Sequence, residues 1–207
     1  MTLAALLVAA ALPGPPAIHD QHIPMPAKRR REMRAYSKRH YGYASARLKH
    51  PKVIVEHIAV AATADSVINT FTPDVPDPEL HELPGVCAHY LITEKAKILA
   101  LVSPRWRCRH TVGLNHVAIG IEHVGFKDGD VLHNRKRLRA SLRLTAYLRC
   151  RYGIRLRDVI GHNESLSSPY HRERVKRLRH QTHADWSHAS MRVYRRRLAR
   201  IPCETAG

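Results

Sequence analysis

The run Val117-Ala118-Ile119-Gly120-Ile121-Glu122-His123-Val124 constrains this chain more than any other stretch. Mostly apolar and rich in β-branched side chains, it reads as a buried strand. A carboxylate inside such a strand is costly, because even a neutral polar group buried without a partner costs about 2 to 7 kcal/mol. The position of Glu122 therefore needs a reason. Chemistry is one; an ion pair with one of the many arginines is the structural alternative.

Other segments arrange themselves around that strand. Val53-Ile54-Val55, after Pro51, is a short β-branched run that delivers Glu56 and His57 at its C-terminal end, where α/β sheets present chemistry. Thr63 or Asp65 caps a helix through about Phe71, with Val67, Ile68 and Phe71 at helical spacing. Asp74 to Pro84 is an acidic, proline-bearing loop. Cys87 to Ile92 and Ile98 to Val102 read as a hairpin whose turn, Thr93 to Lys97, lacks the usual glycine. From Leu132 to Tyr152 the pattern is helical, with Leu138, Leu142, Ala146 and Cys150 in one row and Gly153 suited to the C-cap. Leu156 to Ile160 is a further strand, and Ser187 to Ile201 a last basic helix. The order β-α-β-β-β-α-β-α describes an α/β fold, a mixed central sheet flanked by helices. No internal repeat is visible.

A length of 207 residues with 44% apolar content suffices for one domain with its own core, assigned to residues 51–201. Residues 28–50 read as a basic extension in which Lys28 to Arg31 is a solvated helix start and residues 30–47, a mix of Arg, Tyr and His, pack against the domain edge, and the proline-rich residues 13–27 read as an extended linker. The apolar run Met1 to Leu12 fits the h-region of a secretory signal and is too short to span a bilayer, which takes about 20 residues. Residues 1–27 are thus expected to be a signal peptide and linker, and the protein to be secreted or cell-wall associated, although no Lys or Arg precedes the run.

Lysine and arginine outnumber acids 35 to 17, and the formal charge of +18 favours polyanions: nucleic acid, anionic membrane or anionic cell wall. No RNA- or DNA-binding motif is present and aromatics amount to 6%, which argues against specific nucleic-acid recognition. Cys87, Cys108, Cys150 and Cys203 form no CxxC pair, so neither a zinc ribbon nor a thioredoxin-type site is indicated. Cys87 and Cys108 are able to meet across the sheet, but free buried thiols are the expected state.

With 16 histidines, a single histidine says little about metal binding. Spacing and context carry the case. His57 at a strand end, His162 just past Val159-Ile160-Gly161, and Asp185 supply two imidazoles and one carboxylate, which leave the fourth position of a tetrahedral zinc ion open. Glu122 on a neighbouring strand is placed to take a proton from water and return it to a leaving amine, and His183 to steady an oxyanion. Each has a structural alternative: His57 as an ordinary strand-end histidine, Asp185 as the N-cap of the last helix.

Several short motifs occur in one order: Cys87-Ala88-His89-Tyr90-Leu91-Ile92, Arg109-His110-Thr111-Val112-Gly113-Leu114-Asn115, Ile119-Gly120-Ile121-Glu122, Gly161-His162-Asn163-Glu164 and His183-Ala184-Asp185. Over about residues 50–200 the chain resembles the type 2 N-acetylmuramoyl-L-alanine amidases, related to peptidoglycan recognition proteins. The resemblance implies a zinc amidase that cuts the amide between the lactyl group of N-acetylmuramic acid and the L-alanine of the stem peptide. Carried over by motif, the zinc ligands are His57, His162 and Asp185 and the acid/base is Glu122. His110 and Asn115 fall where the family lines its substrate groove, and His89 stands where many members carry a tyrosine near the metal. His183 replaces a lysine that the family often has two residues before the last ligand, and Ile58-Ala59 follow the first ligand where threonine is common. The implied partners are peptidoglycan or muropeptides, with anionic cell-wall polymers attracted by the basic surface. Two other classes compete: a module that binds muropeptide without cutting it, and a nucleic-acid-binding protein or metal nuclease. A binding-only relative is expected to lose a ligand such as Asp185, which this chain keeps.

Overall fold

The computed structural model describes residues 14–203, so the apolar run Met1 to Leu12 lies outside the described residues. Its elements in chain order are β1 (Ile18–Asp20), α1 (Ala27–Tyr41), β2 (Val53–Ile58), α2 (Ala64–Phe71), β3 (Tyr90–Ile92), β4 (Ile98–Ala100), β5 (Ala118–His123), α3 (Gly129–Leu132), α4 (Arg135–Tyr152), β6 (Val159–Gly161) and α5 (His188–Leu198). The six strands form one sheet in the order β1-β4-β3-β5-β2-β6. Only β3 and β4 pair antiparallel. It is the mixed α/β sheet flanked by helices that the strand pattern implies.

The central strands β2 and β5 are buried at every residue, as expected where helices cover both faces of parallel strands. On one face Ile54, Ile58, Ile119 and Ile121 pack against Leu144, Leu148, Met191 and Tyr194 of α4 and α5. The alternation of side chains sends their neighbours His57 and Glu122 to the other face, and the register sets these two directly opposite each other. Under the sheet a chain of hydrogen bonds satisfies the buried polar groups. Thr145 donates to Glu56 at 2.7 Å; Tyr194 joins Thr145 to Ser141, and Ser141 lies 2.9 Å from Nε2 of His123. Burial pushes the Glu56 carboxyl up to about 7, against the hydrogen bonds it accepts.

Local signals stop and start the helices. The Thr63 hydroxyl accepts from Ser66 N at the start of α2, Asn134 accepts from the amides of Lys136 and Arg137 at the start of α4, and Ser187 accepts from Ser190 N at the start of α5. Gly153 ends α4 in the left-handed region at φ 63°. The helical stretch expected from Leu132 is broken at His133-Asn134 into α3 and α4, and the strand expected from Leu156 begins only at Val159, after a 3-10 turn.

Three expectations are corrected. The supposed linker contains β1, because the outer edge of β4 has free backbone groups to pair: Gln21 N donates to Ala100 O and Ile23 N to Leu101 O. The basic extension packs against the domain edge as expected, forming α1 with an inner face buried through Met33, Tyr36, Ser37 and Tyr41. Within the expected solvated start, Arg29 is 1% exposed and its guanidinium donates to the carbonyls of Pro24, Phe71, Gly85 and Val86. The cysteines are not free: Cys87 bridges Cys108 and Cys150 bridges Cys203. The bridges close loops of 21 and 53 residues, which removes about 3 and about 4 kcal/mol of chain entropy from the unfolded state.

Candidate metal centre and active site

His57 and Glu122 come from adjacent central strands, His162 from the turn that follows β6, and Asp185 from the loop before α5. Two close approaches make this convergence feasible. A Cβ on Gly161 would lie 2.1 Å from the carbonyl oxygen of Trp186, so only glycine lets the Asp185 loop close onto β6. Trp186 adopts φ 54°, unusual for a bulky residue, and is held there by its fully buried indole and by Asp128, which accepts from the amides of Trp186 and Ser187 at 2.8 and 2.9 Å.

The donor atoms of His57, His162 and Asp185 all lie within 4.8 Å of one another. The two Nδ1 atoms are 3.1 Å apart; His57 Nδ1 is 3.6 Å from Asp185 Oδ2 and His162 Nδ1 is 3.4 Å from Oδ1. Zinc with bonds of about 2.0 to 2.1 Å in tetrahedral geometry separates neighbouring ligand atoms by about 3.3 Å, so the set fits that ion. Further contacts hold the ligands. Ile58 N donates to Asp185 Oδ2 at 3.1 Å, and His57 Nε2 lies 3.1 Å from His110 Nδ1 and 3.3 Å from Thr111 Oγ1. Orienting partners on the far nitrogen of a histidine are typical of metal ligands.

The electrostatics divide the two acids. Burial pushes Glu122 up to about 7, opposed by His57 and reinforced by Asp185, and its Oε2 is buried without a partner. Burial acts on Asp185 too, but the His162 and His57 imidazoles beside it hold its carboxyl far below the usual carboxylate range. Burial takes His162 down to about 4, which favours the neutral ring that a metal requires. Glu122, both histidines and Asp185 line one cavity of about 210 Å³. Its wall includes Asp77 and Leu80 of the acidic loop, which Arg109 fastens by donating to Asp77 and to the carbonyls of Glu82 and Pro84.

The remaining expected site residues divide. His183 lies on the rim, its ring stacked on His162 at 4.7 Å and its Nε2 3.1 Å from Glu79 Oε2. His110 lines the cavity but also braces His57. Asn115 lines it with no polar atom to spare: its side chain accepts from the amides of His110 and Thr111 and donates to Tyr36. It shapes the turn rather than offering itself to a substrate. His89 is removed from the site altogether, fully buried, with Nδ1 accepting from Gly120 N and Nε2 2.9 Å from Trp106 O; burial lowers it to about 4. Thr111 and Arg109, missed in reading the sequence, stand beside His110 in the same motif.

A mixed sheet of this topology brings two imidazoles and a carboxylate, a set able to hold a metal ion, together with a buried glutamate at one end of its strands. The family model described as N-acetylmuramoyl-L-alanine amidase matches residues 47–187. The chain belongs to that family, and is a peptidoglycan amidase. Among solved structures, a selenomethionine AmpD derivative is similar with 18% identity and a TM-score of 0.52, over 85% of this chain and 94% of that one. The endolysin amidase LysCS from Clostridium intestinale URNW has 18% identity and a TM-score of 0.49 over 72% and 83%. PGRP-SA of Apis mellifera has 21% identity and a TM-score of 0.44 over 56% and 73%. Likeness at these identities is one of fold. No curated protein sequence matches.

Proposed function

We propose that this amidase cleaves the N-acetylmuramoyl-L-alanine bond with a zinc ion held by His57, His162 and Asp185, and with Glu122 as the residue that carries the proton. The convergence of three ligand atoms beside a buried, partnerless carboxylate oxygen supports the reading. When bound, zinc supplies Lewis-acid polarisation of the scissile carbonyl and lowers the pKa of water. The chain's own part follows from its geometry. A carboxyl held near neutrality by burial accepts a proton from the attacking water and returns it to the leaving amine of L-alanine. Arg109 and Asn115 fix the walls of the cavity, and His183 at its rim, 3.1 Å from Glu79, would steady the developing oxyanion.

Purified protein incubated with peptidoglycan is expected to release free L-alanine amino termini, to stop when a chelator strips the metal and to resume when zinc returns. Release that continues in the metal-free protein would sink the zinc assignment.

Export belongs to the same reading. The run Met1 to Leu12 and two disulfides support an oxidising compartment outside the cytosol. The N-terminus of protein recovered from culture medium should start beyond Leu12; retention of Met1 on a cytosolic chain would count against it.

A further inference from the structure

A second cavity, of about 570 Å³, opens where the N-terminal half of α4 meets the β3–β4 turn and the segment leading into β1. Lys97, Arg135, Lys136, Arg139 and Arg143 line it, and no acidic side chain does. Among the described residues none of the five makes a side-chain hydrogen bond or an ion pair. Elsewhere on the molecule many arginines are engaged: Arg29, Arg107, Arg109 and Arg195 all bond to protein groups. Arg135, Arg139 and Arg143 follow one another at i, i+4 and i+8, a row of like charges about 6 Å apart along the helix axis. Such a row of like charges at i, i+4 spacing works against an isolated helix. Between the cations the lining is His19 and otherwise apolar: Ala17, Ala96, Ile98 and Ala140 among others.

From this geometry we infer that the groove binds a linear phosphodiester polymer of polyols or sugars, the anionic glycopolymer chemistry met alongside peptidoglycan. The inference rests on the peptidoglycan reading for the setting of that polymer, not for the site itself. A regular row of cations fits phosphates that recur along a chain better than one isolated phosphate, and the apolar lining accommodates the uncharged carbon skeleton between them. Two other polyanions fit less well. No Phe, Tyr or Trp lines the groove, and His19 is its single ring, so bases have little to stack on. A concave groove without large apolar side chains at its mouth presents little to a flat bilayer.

Placement gives the groove a use. It shares no lining residue with the catalytic cavity. The β3–β4 turn sits at the C-terminal end of β3, the same end of the sheet at which His57 and Glu122 stand, while α4 covers the opposite face. A polymer held there keeps the enzyme at the wall while leaving the active-site mouth open.

The full chain is titrated with poly(glycerol phosphate) by calorimetry over a series of salt concentrations. Arg139→Ala/Arg143→Ala is expected to weaken binding about tenfold or more at low salt and to reduce the slope of log K against log salt by about 1 to 2. Arg31→Ala/Arg34→Ala, which removes the same charge from exposed positions on α1, should bind as the wild type does. Thermal melting and turnover of a short soluble muropeptide should be the same in all three proteins. Equal weakening in both double variants would mean general charge attraction and overturn the site. So would absence of binding, or tighter binding to duplex DNA or to phosphatidylglycerol vesicles. Because muropeptide turnover is read on the same samples, loss of the amidase reading and loss of this one are separate results.

Discussion

Glu122 and Asp185 are both acids beside the same pair of imidazoles, yet their surroundings drive them apart: one is lifted to about 7 by burial, the other is held as a carboxylate by two histidine contacts. Two acids with divided environments take divided roles. Glu122→Ala should therefore retain zinc, measured by elemental mass spectrometry, and lose turnover by about 10²- to 10⁴-fold. Asp185→Ala should lose the zinc itself. A fully active Glu122→Ala would remove Glu122 from the mechanism. Glu122, His57 and His162 are legible in the sequence because each stands within or just past an apolar strand run that makes a polar side chain conspicuous, whereas Asp185 is legible only through the His183-Ala184-Asp185 motif. His89 and Asn115 are not. His89 is used up by Gly120 N and Trp106 O and Asn115 by the amides of His110 and Thr111, distant or folded-back partners that no local periodicity records.

At the scale of elements, α3 and the loop before α5 act as one unit through Asp128, whose two oxygens accept from Trp186 and Ser187. That grip holds Trp186 in the left-handed region and so aims Asp185, the neighbouring residue, toward the histidines. Removing a supporting contact of this kind lowers metal affinity about 10- to 100-fold. Asp128→Ala is expected to do so in a competition titration against a chelator, with Glu122 untouched. An unchanged affinity would mean that Gly161 and the Trp186 indole suffice alone. The helix caps at Thr63 and Gly153 and the apolar strands β2, β5 and β6 are legible because their signals are local. β1 is not, since three residues among prolines pair only because β4 offers an edge, and α1 is hidden because its buried face uses Arg29, Ser37 and His40.

Across the whole molecule, α1 is locked to two distant loops by His40, whose Nδ1 is 2.8 Å from Glu173 and whose Nε2 is 2.7 Å from Glu82. Burial alone would lower the His40 pKa, but the two glutamates raise it above the ordinary 6.5, while His40 and nearby Arg39 and Arg109 hold Glu82 below its ordinary 4.5 in spite of burial. A raised histidine contributes stability that is complete below its unfolded pKa and is lost as pH rises through the folded value. Glu82 contributes stability that is present above its unfolded pKa and is lost as pH falls through its lowered one. The melting-temperature advantage of wild type over His40→Gln should thus be greatest near about pH 6 and shrink toward alkaline pH; an advantage that grows with pH would contradict a charged His40. Loop wall, helix and catalytic strand are in this way parts of one scaffold, and the bond from Ile58 N to Asp185 ties the last ligand to the strand that carries the first. The three candidate ligand side chains therefore already stand together in the folded chain, so that taking up an ion there calls for little rearrangement.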